Sequence, residues 1–139
     1  MITISRYHEI DCGHRVVNHE SKCKHLHGHR YRFTFTLTAP SLDDIGRVID
    51  FSVVKSLLCQ WLEDNWDHRM LLWTMDPNQP VLRLLEPDSV VLLPCNPTAE
   101  NLAHHLLTIV GPEQLAGTGI DLVSVTCQET AKCNATASL

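Results

Sequence analysis

Alternation of apolar and polar positions is clearest over His27–Thr38. The odd positions are His27, His29, Tyr31, Phe33, Phe35 and Leu37, and the even positions from Arg30 on are Arg, Arg, Thr, Thr, Thr. This period of two predicts a strand with one apolar and one wet face. Ile2–Glu9 reads as a first strand, Pro40 ends the second, and Asp43-Asp-Ile-Gly46 reads as a turn. The spacing then changes. Asp50 can cap a helix over roughly Phe51–Asn65, with Val54, Leu57, Leu58, Trp61 and Leu62 as its apolar stripe. Val81–Leu85 reads as a short helical turn and Val90–Leu93 as an extended apolar piece. Thr98 can cap a second helix over roughly Ala99–Val110, with Leu102, Leu106 and Ile109 inward and Gly111-Pro112 as its stop. Ile120–Glu129 is a further strand on which Val123, Val125, Cys127 and Glu129 share a face, and Ala131–Leu139 can pair as a last short strand.

Strands, then helices, then strands predict an α+β fold with an antiparallel sheet. At 139 residues, one domain spanning 1–139 is expected. A hydrophobic share of 44% with 19% charged residues suits a globular chain rather than a disordered one. No apolar run approaches the ~18 residues of a membrane span, and the N-terminal residues lack a secretory pattern. The six cysteines contain no Cys-x-x-Cys pair. Reduced thiols in a cytoplasmic protein are therefore expected.

A net charge of −5 makes nucleic acid a poor partner. That charge is unevenly spread. Residues 1–32 hold six Lys/Arg against three Asp/Glu, a local +3, and six of the nine histidines.

In that segment, His27-Gly28-His29 puts two imidazoles on one strand face, and Gly28 leaves room for a metal or substrate near the backbone. His14 can supply a third nitrogen if the two strands pair. Three neutral imidazoles with one open position is a catalytic rather than a structural zinc arrangement. His8, His19, His25, His104 and His105 are read as non-ligands. Cys23 lies between Lys22 and Lys24, whose charges favour a thiolate. Asp67-His68 can be an oriented acid/base pair or a helix-end turn. Glu129, ending an apolar face, needs a partner, either a ligand's donor edge or a neighbouring Arg.

Asp11-Cys-Gly-His14-Arg, Lys22-Cys23-Lys-His-Leu-His27-Gly-His29-Arg-Tyr31, Gly46-Arg-Val-Ile-Asp50-Phe51, Asp67-His68, Pro97-Thr98-Ala-Glu100-Asn101 and Gln128-Glu129-Thr130 occur in this order. Together they resemble the 6-pyruvoyl-tetrahydropterin synthase / 6-carboxy-tetrahydropterin synthase family. The three residues between Cys23 and His27 resemble the bacterial 6-carboxy branch. The resemblance implies a tunnelling fold, a four-stranded antiparallel sheet with two helices on one face. It also implies assembly through a β-barrel trimer into a homohexamer with intersubunit active sites. It further implies zinc on His14, His27 and His29, Cys23 as the proton-abstracting base, and Asp67 orienting His68 as proton donor or acceptor. Glu129 would anchor the pterin, with Thr98 and Glu100 near it. The implied substrate is 7,8-dihydroneopterin triphosphate. The implied products are 6-carboxytetrahydropterin, acetaldehyde and triphosphate, on a route to queuosine or 7-deazaguanine. A pyruvoyl-forming or dihydroneopterin-cleaving relative is the runner-up. Other classes are a non-catalytic zinc- or pterin-binding protein, a structural zinc module and a zinc hydrolase, the last lacking His-Glu-x-x-His.

Overall fold

The computed structural model describes residues 1–139. β1 (Ile4–His14) and β2 (His27–Thr38) pair antiparallel, with Ile4 opposite Leu37 and His14 opposite His27. β3 (Met70–Trp73) runs parallel to β1, and β4 (Val90–Leu93) runs parallel to β3. β5 (Asp121–Thr130) is antiparallel to β2, and β6 (Cys133–Ser138) is antiparallel to β5. The resulting sheet has six strands in the order β4-β3-β1-β2-β5-β6.

The expected four-stranded antiparallel sheet is thus present only as β1, β2, β5 and β6, and two parallel strands extend it. Met70–Trp73 escapes a pattern search because four consecutive apolar residues carry no period. β1 also runs five residues beyond the expected Glu9. Asp11-Cys-Gly-His14 shows no simple alternation, yet it continues the ladder opposite Arg30, His29, Gly28 and His27. Gly13 is required there by close approach. A Cβ on it would lie 2.6 Å from Met70 Cε and 3.1 Å from the His27 carbonyl oxygen.

Helix α1 covers residues 51–65 and contains one wide turn at Lys55–Cys59. Asp50 caps it as expected, accepting from the Ser52 N–H at 2.8 Å. α2 (Gln79–Leu85) is short and leaves Val81, Leu84 and Leu85 exposed. α3 covers residues 99–114, with Thr98 accepting from the Asn101 N–H at 3.1 Å. Gly111-Pro112 does not stop it. The helix continues through a second wide turn at Leu106–Val110, with Val110 and Gly111 both in helical geometry. The inward arc is also rotated: Ala103, Leu107 and Val110 are buried, whereas Ile109 is exposed.

α1 and α3 both pack on the odd-position face of β2. Tyr31, Phe33, Phe35 and Leu37 meet Val54, Leu58, Leu62, Leu102 and Leu106 in one core. Trp66 closes it between Phe33, Trp61 and His105. On β5 the expected face is broken by a bulge. Ser124 pairs with Thr36 and Leu122 with Leu37, so Val123 is the extra residue and Leu122 turns inward. All six cysteines are free, and burial pushes the Cys12 thiol up to about 12. No helix is long and apolar enough to cross a membrane.

Packing rather than capping holds α1. Leu62→Ala is expected to cost about 2–5 kcal/mol in urea unfolding, against about 1 kcal/mol for Asp50→Ala. Equal losses would contradict this ranking.

Candidate active site

The β1–β2 register puts His14 and His27 side by side, and alternation along β2 puts His29 on the same face. Their ring centroids lie 4.5 Å (His14–His27), 5.2 Å (His14–His29) and 4.9 Å (His27–His29) apart. Glu129, at the end of β5, brings a carboxylate to the same point. The four donor atoms all lie within 4.8 Å of one another. Glu129 Oε1 is 2.8 Å from His29 Nε2 and 3.5 Å from His14 Nε2. His14 is buried and the other three are partly buried.

Hydrogen bonds on the far sides of the rings fix which nitrogen is free. The Pro97 carbonyl accepts from His14 Nδ1 at 2.6 Å, and the His25 carbonyl accepts from His27 Nδ1 at 2.7 Å. A carbonyl can only accept, so in each neutral ring Nδ1 carries the proton and Nε2 is a bare lone pair. Those two Nε2 atoms face each other at 3.0 Å. Two lone pairs at that distance repel unless a cation lies between them. His29 Nε2 is buried and has no hydrogen-bond partner, because Glu129 stands off the line of a ring N–H. Burial, opposed by Glu129 and aided by His14 and His27, lowers the His29 pKa and favours the neutral ring. Neutral imidazoles with converging free nitrogens suit a divalent metal ion.

The remaining candidates sit apart from this cluster. Cys23 lies in a single 3-10 turn, Lys22–Lys24, and is partly buried. Thr98 is the α3 cap, one residue beyond the carbonyl that holds His14. Glu100 is exposed in the first turn of α3.

Asp67 and His68 form a pair, His68 Nδ1 lying 2.8 Å from Asp67 Oδ2, but they are not part of the imidazole cluster. His68 lines a cavity of about 620 Å³ with Asp11, Gly13, Gly28, His29 and Arg30. Gly28 and Arg30 alternate with the imidazole-bearing positions along β2, and His29 of the imidazole cluster borders the same cavity. Gly28 lines this cavity, and a Cβ on it would lie 3.3 Å from the Cys12 carbonyl oxygen. The His68 backbone is left-handed, with φ 57, and its N–H donates to the Asp11 carbonyl at 2.7 Å. That turn leaves the His68 side chain 77% exposed.

Several supporting groups carry no sequence signal. The Pro97 and His25 carbonyls are backbone atoms, and the Tyr31 hydroxyl, 3.1 Å from His14 Nδ1, is one apolar-face position among several. The inward aim of Glu129 was legible, since it shares a face with Val125 and Cys127.

The carboxylate of Asp67 raises the His68 pKa above its ordinary value of 6.5. Burial works against the charge on Asp67, but His68 and the Asp11 N–H outweigh it and lower its pKa. A raised histidine pKa stabilises the folded state below the unfolded midpoint, and that contribution is lost as pH rises through the folded one. The matching contribution of Asp67 is present above the ordinary carboxylate range and lost in acid. Asp67→Asn is expected to move the His68 midpoint down towards about 6.5 in an NMR titration. An unmoved midpoint would mean that Asp67 does not set it.

Comparison with known proteins agrees with this geometry. The chain is 34% identical over 134 residues to the 6-carboxy-5,6,7,8-tetrahydropterin synthase of Rickettsia conorii, covering 96% of this chain and 97% of that one. It is 35% identical over 136 residues to the enzyme of the same name from Rickettsia bellii, with the same coverage. A crystal structure of an uncharacterised protein from Wolinella succinogenes superposes with a TM-score of 0.85 at 22% identity, covering 99% of this chain and 97% of that one. The Caenorhabditis elegans 6-pyruvoyl tetrahydropterin synthase superposes with a TM-score of 0.71 at 21% identity, over 99% and 95% of the two chains. The profile described as 6-pyruvoyl tetrahydropterin synthase matches residues 3–138. With the match running nearly end to end, the chain belongs to the 6-pyruvoyl tetrahydropterin synthase family.

Proposed function

We propose that this protein is a zinc-dependent 6-carboxy-5,6,7,8-tetrahydropterin synthase. It would convert 7,8-dihydroneopterin triphosphate to 6-carboxytetrahydropterin, acetaldehyde and triphosphate, on a route to queuosine or another 7-deazaguanine. The observation that carries this reading is the converging His14, His27, His29 and Glu129 set in a chain aligned along 96% of its length with relatives of that name.

His14, His27 and His29 would hold the zinc, which when bound supplies Lewis-acid polarisation of side-chain oxygens on the substrate. Glu129 would anchor the pterin, its two oxygens accepting from the 2-amino group and N3–H. Thr98 and Glu100, at the start of α3, would border the pterin. Cys23 as thiolate would take a proton from a side-chain carbon. His68, held charged to higher pH by Asp67, would give and retrieve a proton at oxygen. Triphosphate then leaves, and a water molecule supplies the second carboxylate oxygen as the side chain is cut, with acetaldehyde released. The name of the matching profile favours formation of a pyruvoyl side chain as the second reading.

His68 is not part of the imidazole cluster, and its side chain is 77% exposed. A second copy would therefore bring its own Asp67–His68 pair to this copy's imidazoles. Homohexamers built from two stacked trimers fit that need. The exposed edges β4 and β6 also favour closure into a barrel.

Zinc-loaded protein given dihydroneopterin triphosphate is expected to release acetaldehyde and a 6-carboxypterin. A pyruvoyl product would establish the second reading instead. Cys23→Ala is expected to keep its zinc and lose turnover by about 100-fold or more; undiminished turnover would remove Cys23 from the mechanism. Mixed, refolded Cys23→Ala and His68→Ala subunits are expected to recover part of the activity that neither variant has alone. Inactive mixtures that do assemble would place all the groups of a site in one chain.

A further inference from the structure

We propose that Arg15 and Asp76 form a clamp that positions the Cys23 turn against the end of β1, beside the strand positions that bear His14 and His27, a role that rests on the reading of Cys23 as the proton-transferring thiol.

Asp76 is the one carboxylate among the buried residues, its side chain fully enclosed. A buried charge is tolerated only when paired and hydrogen-bonded. Asp76 Oδ2 takes Arg15 Nε at 2.6 Å, and Oδ1 accepts from the Asn78 N–H at 2.8 Å. Its backbone is fixed as well, its N–H donating to the Trp73 carbonyl at 2.9 Å just beyond β3. The carboxylate is therefore an immobile point tied to the sheet.

Arg15 follows His14 at the end of β1. Its planar guanidinium has a second arm, Nη1, which donates to the Lys24 carbonyl at 3.2 Å. The neighbouring Val16 N–H donates to the Cys23 carbonyl at 2.8 Å. Consecutive residues at the end of β1 thus grip the two consecutive carbonyls of the thiol-bearing turn. The next carbonyl, that of His25, holds His27 Nδ1.

The grip matters because nothing apolar replaces it. The Lys22–Lys24 turn has no buried residue, and Ser21 and His25 on either side are exposed. Hydrophobic packing cannot fix its position, so polar bonds must. Other bonds within the segment are local: Lys24 N–H to the Ser21 carbonyl at 3.3 Å and His25 N–H to the Lys22 carbonyl at 3.0 Å. They shape the turn without placing it. Besides the His25 carbonyl's bond to His27, the contacts to Arg15 and Val16 tie it to the sheet, and of these only the Arg15 contact is backed by a buried charge.

Arg15→Lys keeps a cation for Asp76 but cannot also span to the Lys24 carbonyl. Asp76→Asn keeps the shape but removes the charge that fixes the guanidinium. In metal-loaded protein, Cys23 alkylation by iodoacetamide can be followed by peptide mass spectrometry, with exposed Cys133 as internal reference. Both variants are expected to alkylate Cys23 several-fold faster than wild type, with bound metal unchanged. Their kcat is expected to fall roughly 10–100-fold with little change in KM, because misplacement of a reacting group is felt in the chemical step. Wild-type Cys23 alkylation in a normally folded Arg15→Lys protein would overturn the clamp, whatever the turnover. So would loss of cooperative melting in both variants, with labelling of buried Cys12 and Cys59, since the pair would then hold the fold and not the turn. Faster alkylation with undiminished turnover would uphold the clamp and defeat instead the assignment of proton transfer to Cys23.

Discussion

Placing His14 directly across from His27 fixes two imidazoles on one face, and alternation along β2 adds the third. Side chains on a strand switch faces at every residue. A slip of one position between β1 and β2 would turn His14 away from His27 and bring glycine to the cluster. The register therefore has to be secured elsewhere, and the rest of β2 does so. Tyr31, Phe33, Phe35 and Leu37 fill the core on the same face as His27 and His29. Slipping the strand would expose that whole set to water, at roughly 1.5–3 kcal/mol for each large side chain. The apolar layer that folds the sheet is thus also what aligns the donors.

Convergence alone would be unfavourable. The Pro97 and His25 carbonyls commit the protons of His14 and His27 to Nδ1, leaving two Nε2 lone pairs face to face. The fold holds this repulsive arrangement because the rings are anchored on both sides. His14 is pinned between a β1 backbone and the segment before α3, and His27 is pinned by its own preceding turn. Such preorganisation is useful where a metal ion is to be bound with a set geometry, since the cost of gathering the donors is met by folding. It also links the donors to α3: Pro97 holds His14, and the adjacent Thr98 caps the helix.

Much of this was legible in the chain, and the failures have common causes. β2, α1 and its Asp50 cap, and the start of α3 follow from period and capping residues, which are local. β3 was missed because Met70–Trp73 is uniformly apolar. The last five residues of β1 escape the pattern because their polar and glycine residues serve the site instead of the core. Ile109 and Val123 were placed inward because a regular repeat was carried through a wide helical turn and a bulge. Each inserts one residue and changes which neighbouring side chain faces inward, and neither has a composition of its own. In the site, the convergence of His14, His27 and His29 could be anticipated from one assumed strand pairing. The Arg15–Asp76 contact could not, because it joins residues 61 positions apart through the unforeseen end of β3.

The candidate groups differ sharply in how firmly they are held. The imidazoles stand on paired strands above a filled core, where a metal site needs fixed geometry. The Cys23 turn has no buried residue and is held by polar bonds. His68 stands on a left-handed residue and projects into solvent, steadied by Asp67 and the Asp11 carbonyl. The firmness of each group thus follows what anchors it: a filled core under paired strands for the imidazoles, and isolated polar bonds for Cys23 and His68, which water can compete for.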